Sequence, residues 1–169
     1  MIDVVILTDE RYVNPEKTDW YINQVLLEDR LLQTALENQG LIVAKKDWSD
    51  SYFDWNTTRN AIFRTTWDYF ERFDEFFKWL EITKHKTNFI NSSEIINWNI
   101  DKHYLAELSK KGINIASTIF IEKGEKITIK DLFNKTKWKN AVLKPAISGA
   151  ARHTYQIFSD NYLKYENIF

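Results

Sequence analysis

The sequence predicts an α/β fold in which a parallel-sheet subdomain leads into a smaller α+β subdomain. Three observations carry this. Residues 2–7, IDVVIL, form a nearly continuous apolar run, the pattern of a strand buried on both faces. Residues 20–39 then repeat apolar side chains at helical spacing up to Gly40, and residues 41–44 restart an apolar strand, which completes a βαβ unit with parallel pairing and a right-handed crossover. Beyond residue 91 the regular alternation gives way to short helices and a hairpin.

In the first subdomain, Thr8 and Asp9 close the opening strand, and a polar loop with Pro15 precedes the helix carrying Tyr21, Val25, Leu32, Ala35 and Leu36. Gly40 occupies a C-cap position. Residues 47–60 read as polar, aromatic loop or a short helix, and Ala61, Ile62 and Phe63 as a third strand ending in RTTWDY, residues 64–69. Phe73, Phe76, Phe77 and Leu80 form an aromatic helical stripe of the kind that builds core, and residues 88–90 a fourth strand. The first subdomain is placed at 1–91 and the second at 92–169.

In the second, Ser92 is read as the cap of a short helix and Asn99 as the cap of a longer one over 100–111, with Gly112 at its end. Residues 118–121 are expected to form a strand, Gly124 a turn and residues 128–135 a helix. Residues 140–144 and 153–158 are expected to pair as a hairpin. Ser159 or Asp160 is read as the cap of a final helix.

Composition narrows the function. The chain has 169 residues, 44% of them hydrophobic and 15% aromatic, ample for a packed interior. Its 23 basic and 24 acidic residues leave no cationic excess for a nucleic-acid backbone. The absence of cysteine rules out disulfides, thiol catalysis and thiolate metal sites. MIDVVILTDE reads as a first strand rather than a signal peptide, and no apolar stretch is long enough to span a membrane, so a cytoplasmic location is expected.

Two places carry chemistry. In residues 139–151, KNAVLKPAISGAA, a strand delivers Lys144 to a loop of small residues, where backbone N–H groups can approach an anion closely. The bland alternative is a hairpin turn that happens to carry Ser148 and Gly149. In RTTWDY, Arg64 offers a planar donor fork, Trp67 an apolar wall, and Asp68 a carboxylate to orient Arg64 or an amine, at the strand end where open α/β sheets bind ligands. The alternative there is an Arg64–Asp68 ion pair with Trp67 in the core. Lys102, in a first helical turn, opposes the helix dipole and asks for a compensating anion, although most such lysines are simply solvated. His85, His103 and His153 have no metal-ligand spacing, and no nucleophile elbow or P-loop is present.

Taken in order, ILTD, EDRLLQTAL, Asp54–Trp55, RTTWDY, NSSEIINWNIDKHYLAEL, GINIASTIFI and VLKPAISGAARHTY resemble the ATP-grasp superfamily. The likeness is to its glutathione-synthetase-like group, which includes the cycloserine-pathway cyclo-ligase. The resemblance implies a Rossmann-like pre-ATP-grasp domain over 1–91, then the small N-terminal lobe of the ATP-grasp module over 92–169. It implies nucleotide contacts from Lys102 and Lys144, a phosphate-covering loop at Ser148, Gly149 and Ala150, and a carboxylate-substrate face at Arg64, Trp67 and Asp68.

ATP and magnesium are the cofactors so implied, with a small carboxylate or amino-acid-like substrate joined to an amine through an acyl phosphate. The family's large lobe, with its magnesium ligands, has no counterpart before Phe169, where only Asp160 and Glu166 follow the Lys144 loop. The chain is therefore expected to be a front portion that does not turn over ATP alone. Two other readings stay open: an aromatic-rich small-ligand module without ATP, supported by seven tryptophans, and a fragment that oligomerises or is completed by another chain.

Overall fold

A computed structural model describes residues 1–169, which divide into two compact units, Met1–Trp98 and Asn99–Phe169. The first holds a four-stranded sheet in the order β2-β1-β3-β4, with β1 at Ile2–Thr8, β2 at Val43–Asp47, β3 at Thr58–Thr65 and β4 at Asn88–Ile90. All pairings are parallel. β1 lies inside with a neighbour on each edge, which is why Val5, Ile6 and Leu7 are fully buried.

Two helices cover opposite faces. Register places Ile6 beside Lys45 and Ile62, while Leu7 stands beside Lys46 and Phe63. Strand alternation sends these two rows to different sides. Helix α1, Trp20–Glu37, lies on the Ile6 side, where its Asp29 reaches Lys45 and Arg64. Helix α2, Phe73–Thr83, lies on the other, where Phe76 and Trp79 meet Phe63.

Asp19 caps α1 by accepting a hydrogen bond from the Ile22 amide at 2.7 Å. The helix buries little: only Val25 and, one turn on, Asp29 are closed off from solvent. Lys45 Nζ stands 2.8 Å from Asp29 Oδ2 and Arg64 Nε 3.7 Å from Oδ1, ion-pair distances that lie off the carboxylate's hydrogen-bonding directions. The helix is thus tied to two strands by charge as well as by Val25 and the half-buried Ile22, Leu26, Leu32 and Leu36.

The α2 side is aromatic. Trp48, Trp55, Phe63, Phe76, Trp79 and Phe89 interlock largely edge to face, with Trp48 and Phe76 centroids 5.1 Å apart and Trp55 and Trp79 5.4 Å apart. Phe76 and Leu80 are core as the stripe predicted, but Phe77 is 41% exposed, because one residue past Phe76 is a turn of about 100° that carries it to the helix rim.

In the second unit, helix α5, Ile129–Thr136, packs on a two-stranded antiparallel hairpin of β5, Asn140–Leu143, and β6, Tyr155–Phe158. Ile129, Phe133 and Ile157 make its core. A Thr128–Asp131 capping box starts α5. The Glu166 carboxylate accepts from the Ile129 and Lys130 amides at 3.2 and 3.1 Å, the favourable sign at that end of the helix dipole.

Several expectations need correction. β2 starts at Val43, two residues later than the apolar run, and continues through Lys45 and Lys46, whose charges Asp29 and Asp50 accommodate. Asn99 is not an N-cap. It ends helix α3, Ser93–Asn99, and after a turn helix α4, Tyr104–Lys110, begins behind His103, which makes no side-chain cap bond. The turn is held by the Lys102 amide donating to the Ala146 carbonyl at 3.1 Å, outside any helical pattern. Residues 118–121 form no strand, because the second sheet has only β5 and β6 and neither pairs with them. The final helix is a single 3-10 turn, Tyr162–Lys164, behind Asn161, and neither Ser159 nor Asp160 caps it. No helix is long and apolar enough to cross a membrane.

Replacing Asp29 with Asn is expected to destabilise the first unit by about 3 kcal/mol in urea unfolding, since it strands a largely buried Lys45. Asp29→Leu combined with Lys45→Met is expected to regain most of that loss. A single change at Asp29 with no measurable effect would show that packing, not charge, holds α1.

Candidate functional site

The carboxyl ends of β1 and β3 lie side by side, and β1 is where the strand order reverses, since its chain neighbour β2 lies on one side and β3 on the other. Open α/β sheets bind ligands at such a point. Polar groups are concentrated there. Thr8 Oγ1 and Thr65 Oγ1 are 2.5 Å apart, and Thr8, Asp9, Thr65, Thr66 and Asp68 are all buried. Their partners are internal: Asp9 accepts from Arg11 Nε at 3.0 Å and Nη2 at 2.6 Å, and this bond raises the Arg11 pKa.

Asp68 is held from two sides. Trp48 Nε1 donates to its Oδ1 at 2.7 Å, and Arg72 Nη1 to its Oδ2 at 3.0 Å. The Arg72 guanidinium also lies over the Trp48 ring, 4.6 Å from the centroid. Burial pushes Asp47 above the usual carboxylate range, the Ser49 hydrogen bonds oppose this, and the nearby Asp68 charge adds to the rise. Over this polar floor stands an aromatic wall, Tyr12 edge-on to Trp67 at 5.6 Å and Tyr21 at 6.3 Å from Trp67.

In the second unit, Lys102 Nζ donates to the Ala146 and Ser148 carbonyls at 3.1 and 2.9 Å. Two of its three N–H groups are thereby spent on the 146–151 loop, leaving one for another acceptor. Desolvation lowers the Lys102 pKa, and the Lys144 ammonium adds to the lowering, so two lysines face one small region. Lys144 is exposed and has no carboxylate partner. Ser148 Oγ donates to the Arg152 carbonyl at 3.0 Å, while Ala150 and Ala151 have φ of 49° and 56°, the left-handed region that glycine prefers.

The family model for the N-terminal domain of the D-cycloserine synthetase DcsG matches residues 4–91. The chain belongs to this family. The cycloserine biosynthesis protein DcsG of Streptomyces lavendulae is 31% identical over 93 residues, covering 55% of this chain and 31% of that protein. The crystal structure of D-cycloserine synthetase DcsG superimposes with a TM-score of 0.81 at 21% identity, over 97% of this chain and 53% of the other. This chain thus spans about half of that DcsG chain or less. The family match includes the β1 and β3 ends. For the second unit the likeness to DcsG is one of fold.

The structure brings Lys102 and the Ser148–Ala150 loop together, with Lys144 close by. It does not join Arg64 to Asp68. Arg64 donates to Glu28 at 3.0 Å and neighbours Asp29 on the α1 face, whereas Asp68 is taken by Trp48 and Arg72. Strand alternation is the reason: Arg64 follows Phe63 on β3 and points away from it. Trp67 is 36% exposed rather than core. Sequence reasoning missed Arg11 and Arg72, whose signal lay in ILTDER and DYFER as charges past strand ends, and Trp48, which directly follows β2 in KKDW. It also missed His103, two residues from Asp101.

Ala150→Gly and Ala151→Gly are each expected to stabilise the second unit by about 1 kcal/mol in thermal or urea unfolding, because glycine carries no left-handed penalty. A loss of stability would show that the loop does not hold this backbone in solution.

Proposed function

We propose that this chain is the front portion of an ATP-dependent carboxylate–amine ligase of the ATP-grasp type, with the first unit as its pre-ATP-grasp domain and the second as the small lobe. The observation that carries the nucleotide assignment is the Lys102–Lys144 pair beside the 146–151 loop. Lys102 loses solvation here and feels the neighbouring Lys144 charge, a cost that a polyanion would offset, and a triphosphate supplies one. The donors present suit phosphate oxygens: the remaining Lys102 N–H, the Lys144 ammonium and a loop of small residues including Ser148, Gly149 and Ala150. When bound, ATP would supply the phosphoryl group that activates a carboxylate.

Magnesium fits less well. No group of three or more His, Asp or Glu side chains is arranged to hold a cation, and Glu166 is occupied at the start of α5. No step is assigned to the metal within this chain.

On the substrate side, the proposal places a small amino-acid-like carboxylate at the ends of β1 and β3. Trp67 is the apolar wall there, with Tyr12 and Tyr21. Asp68 acts indirectly, by fixing Arg72 and Trp48. Arg64 serves by bracing β3 against α1 unless a ligand draws it from Glu28.

Calorimetric titration of the 169-residue chain with a non-hydrolysable ATP analogue tests the nucleotide assignment. Lys102→Ala and Lys144→Ala are each expected to weaken binding about tenfold or more. Unchanged affinity in both would refute it and favour the small-ligand reading. An ADP-release assay with a panel of amino acids is expected to show no turnover by this chain, and robust turnover would overturn its standing as an incomplete catalyst.

A further inference from the structure

His103 follows Lys102 directly, and its ring is held on both nitrogens. Nδ1 lies 2.6 Å from Asp101 Oδ1 and Nε2 3.2 Å from Glu122 Oε1. The Phe120 ring stacks on it, with centroids 4.2 Å apart and planes 27° apart. The His103 amide also donates to Asp101 Oδ1 at 2.9 Å. At neutral pH both carboxylates are acceptors only, so both contacts are complete only when each ring nitrogen carries a proton.

The turn so held is the one that carries Lys102. Within it the Lys102 amide donates to Ala146, and the side chain reaches Ala146 and Ser148. On the far side, Glu122 is fixed by its own turn: its amide donates to the Glu125 carboxylate at 3.2 Å and its carbonyl accepts from the Glu125 amide at 3.0 Å.

We propose that His103 is a positioning residue whose imidazolium latches the Lys102 turn to residues 120–122 and so sets how Lys102 meets the 146–151 loop. The importance of the latch for phosphate rests on the nucleotide reading above, but the latch itself does not. The charged groups facing the ring are Asp101 and Glu122, both acidic, with Lys102 the cation next to Asp101. The Asp101 hydrogen bond is the main cause that raises the His103 pKa; desolvation opposes it, and the charges of Asp101 and Glu122 add to the rise. Burial would raise Asp101 in turn, but hydrogen bonds from His103 hold it below the usual carboxylate range.

The sign follows from linkage. A group whose pKa is raised in the folded state contributes fully below its unfolded value, about 6.5 for histidine, and its contribution is lost as pH rises through the raised value. The latch is therefore closed in mild acid and released in mild base.

The test is NMR on the 169-residue chain, following the ring nitrogens of His103 and the exchange protection of the Lys102 amide, corrected for intrinsic exchange. In the wild type the ring should remain doubly protonated above the usual histidine midpoint. Lys102 protection should fall about fivefold between about pH 5.5 and pH 8.5, the loss of one charge-assisted hydrogen bond. His103→Gln stays neutral and half-exposed, and its Lys102 protection should be low and flat across that interval. A His103 midpoint at the ordinary value, or the same pH dependence in His103→Gln, would overturn the latch.

Titration with the ATP analogue at the two pH values separates the two claims. Affinity falling with pH in the wild type but not in His103→Gln supports the positioning role. Affinity that stays flat while the amide responds refutes it. Absence of binding at both values defeats the nucleotide reading, while ring and amide still decide the latch.

Discussion

The hydrogen bond from Trp48 to Asp68 is the contact on which the first unit depends. Trp48 ends the β2 excursion, is wholly buried, and its amide also donates to the Thr8 carbonyl of β1 at 3.0 Å. Its ring edges meet Phe76 and Trp79 of α2, and Arg72 covers its face. One residue, through its amide and its ring, thus ties β1, the loop after β2, the loop after β3 and α2. A buried indole N–H needs an acceptor, and a buried carboxylate needs donors and a cation; Trp48, Asp68 and Arg72 satisfy these demands mutually. The same arrangement that closes the core therefore fixes the polar floor at the strand ends.

The fold was legible wherever a local pattern had one structural solution. The apolar run of β1, the helical period before Gly40, the stripe with Phe76 and Leu80, and the hairpin of β5 and β6 each appear as expected. Gly40 and Gly112 have φ of 81°, as their C-cap positions required. The failures fall where tertiary contacts override the local signal. Lys45 and Lys46 do not look like strand interior, yet Asp29 and Asp50 make them so. Asn99 looks like a cap, but the Lys102–Ala146 bond bends the chain at that place and divides the helix into two.

The candidate site was legible in part and for different reasons in its two places. The Lys144 loop and Lys102 are far apart in sequence, and family resemblance, not spacing, linked them; the carbonyls of Ala146 and Ser148 supply the physical link. Arg64 and Asp68 are close in sequence, and that closeness misled, because β3 ends at Thr65: Arg64 stands on the α1 face of the strand beside Glu28 and Asp29, whereas Asp68 lies in the turn beyond it, held by Trp48 and Arg72. The partners that do hold Asp68 sit 20 residues before it and 4 after it, distances at which no composition rule operates.

The sheet order has a consequence for synthesis. β1 is made first but occupies an inner position, paired with Thr58 through Thr65 on one side. As the nascent chain leaves the ribosome, Val4 to Leu7 can gain β2 early, yet its second edge stays open until the chain has grown past Phe63. Such non-local closure is slow, and an uncapped apolar strand edge is the surface on which nascent chains stick to one another. For this molecule the interval between translating residue 47 and residue 65 is when a holding chaperone has the most to protect.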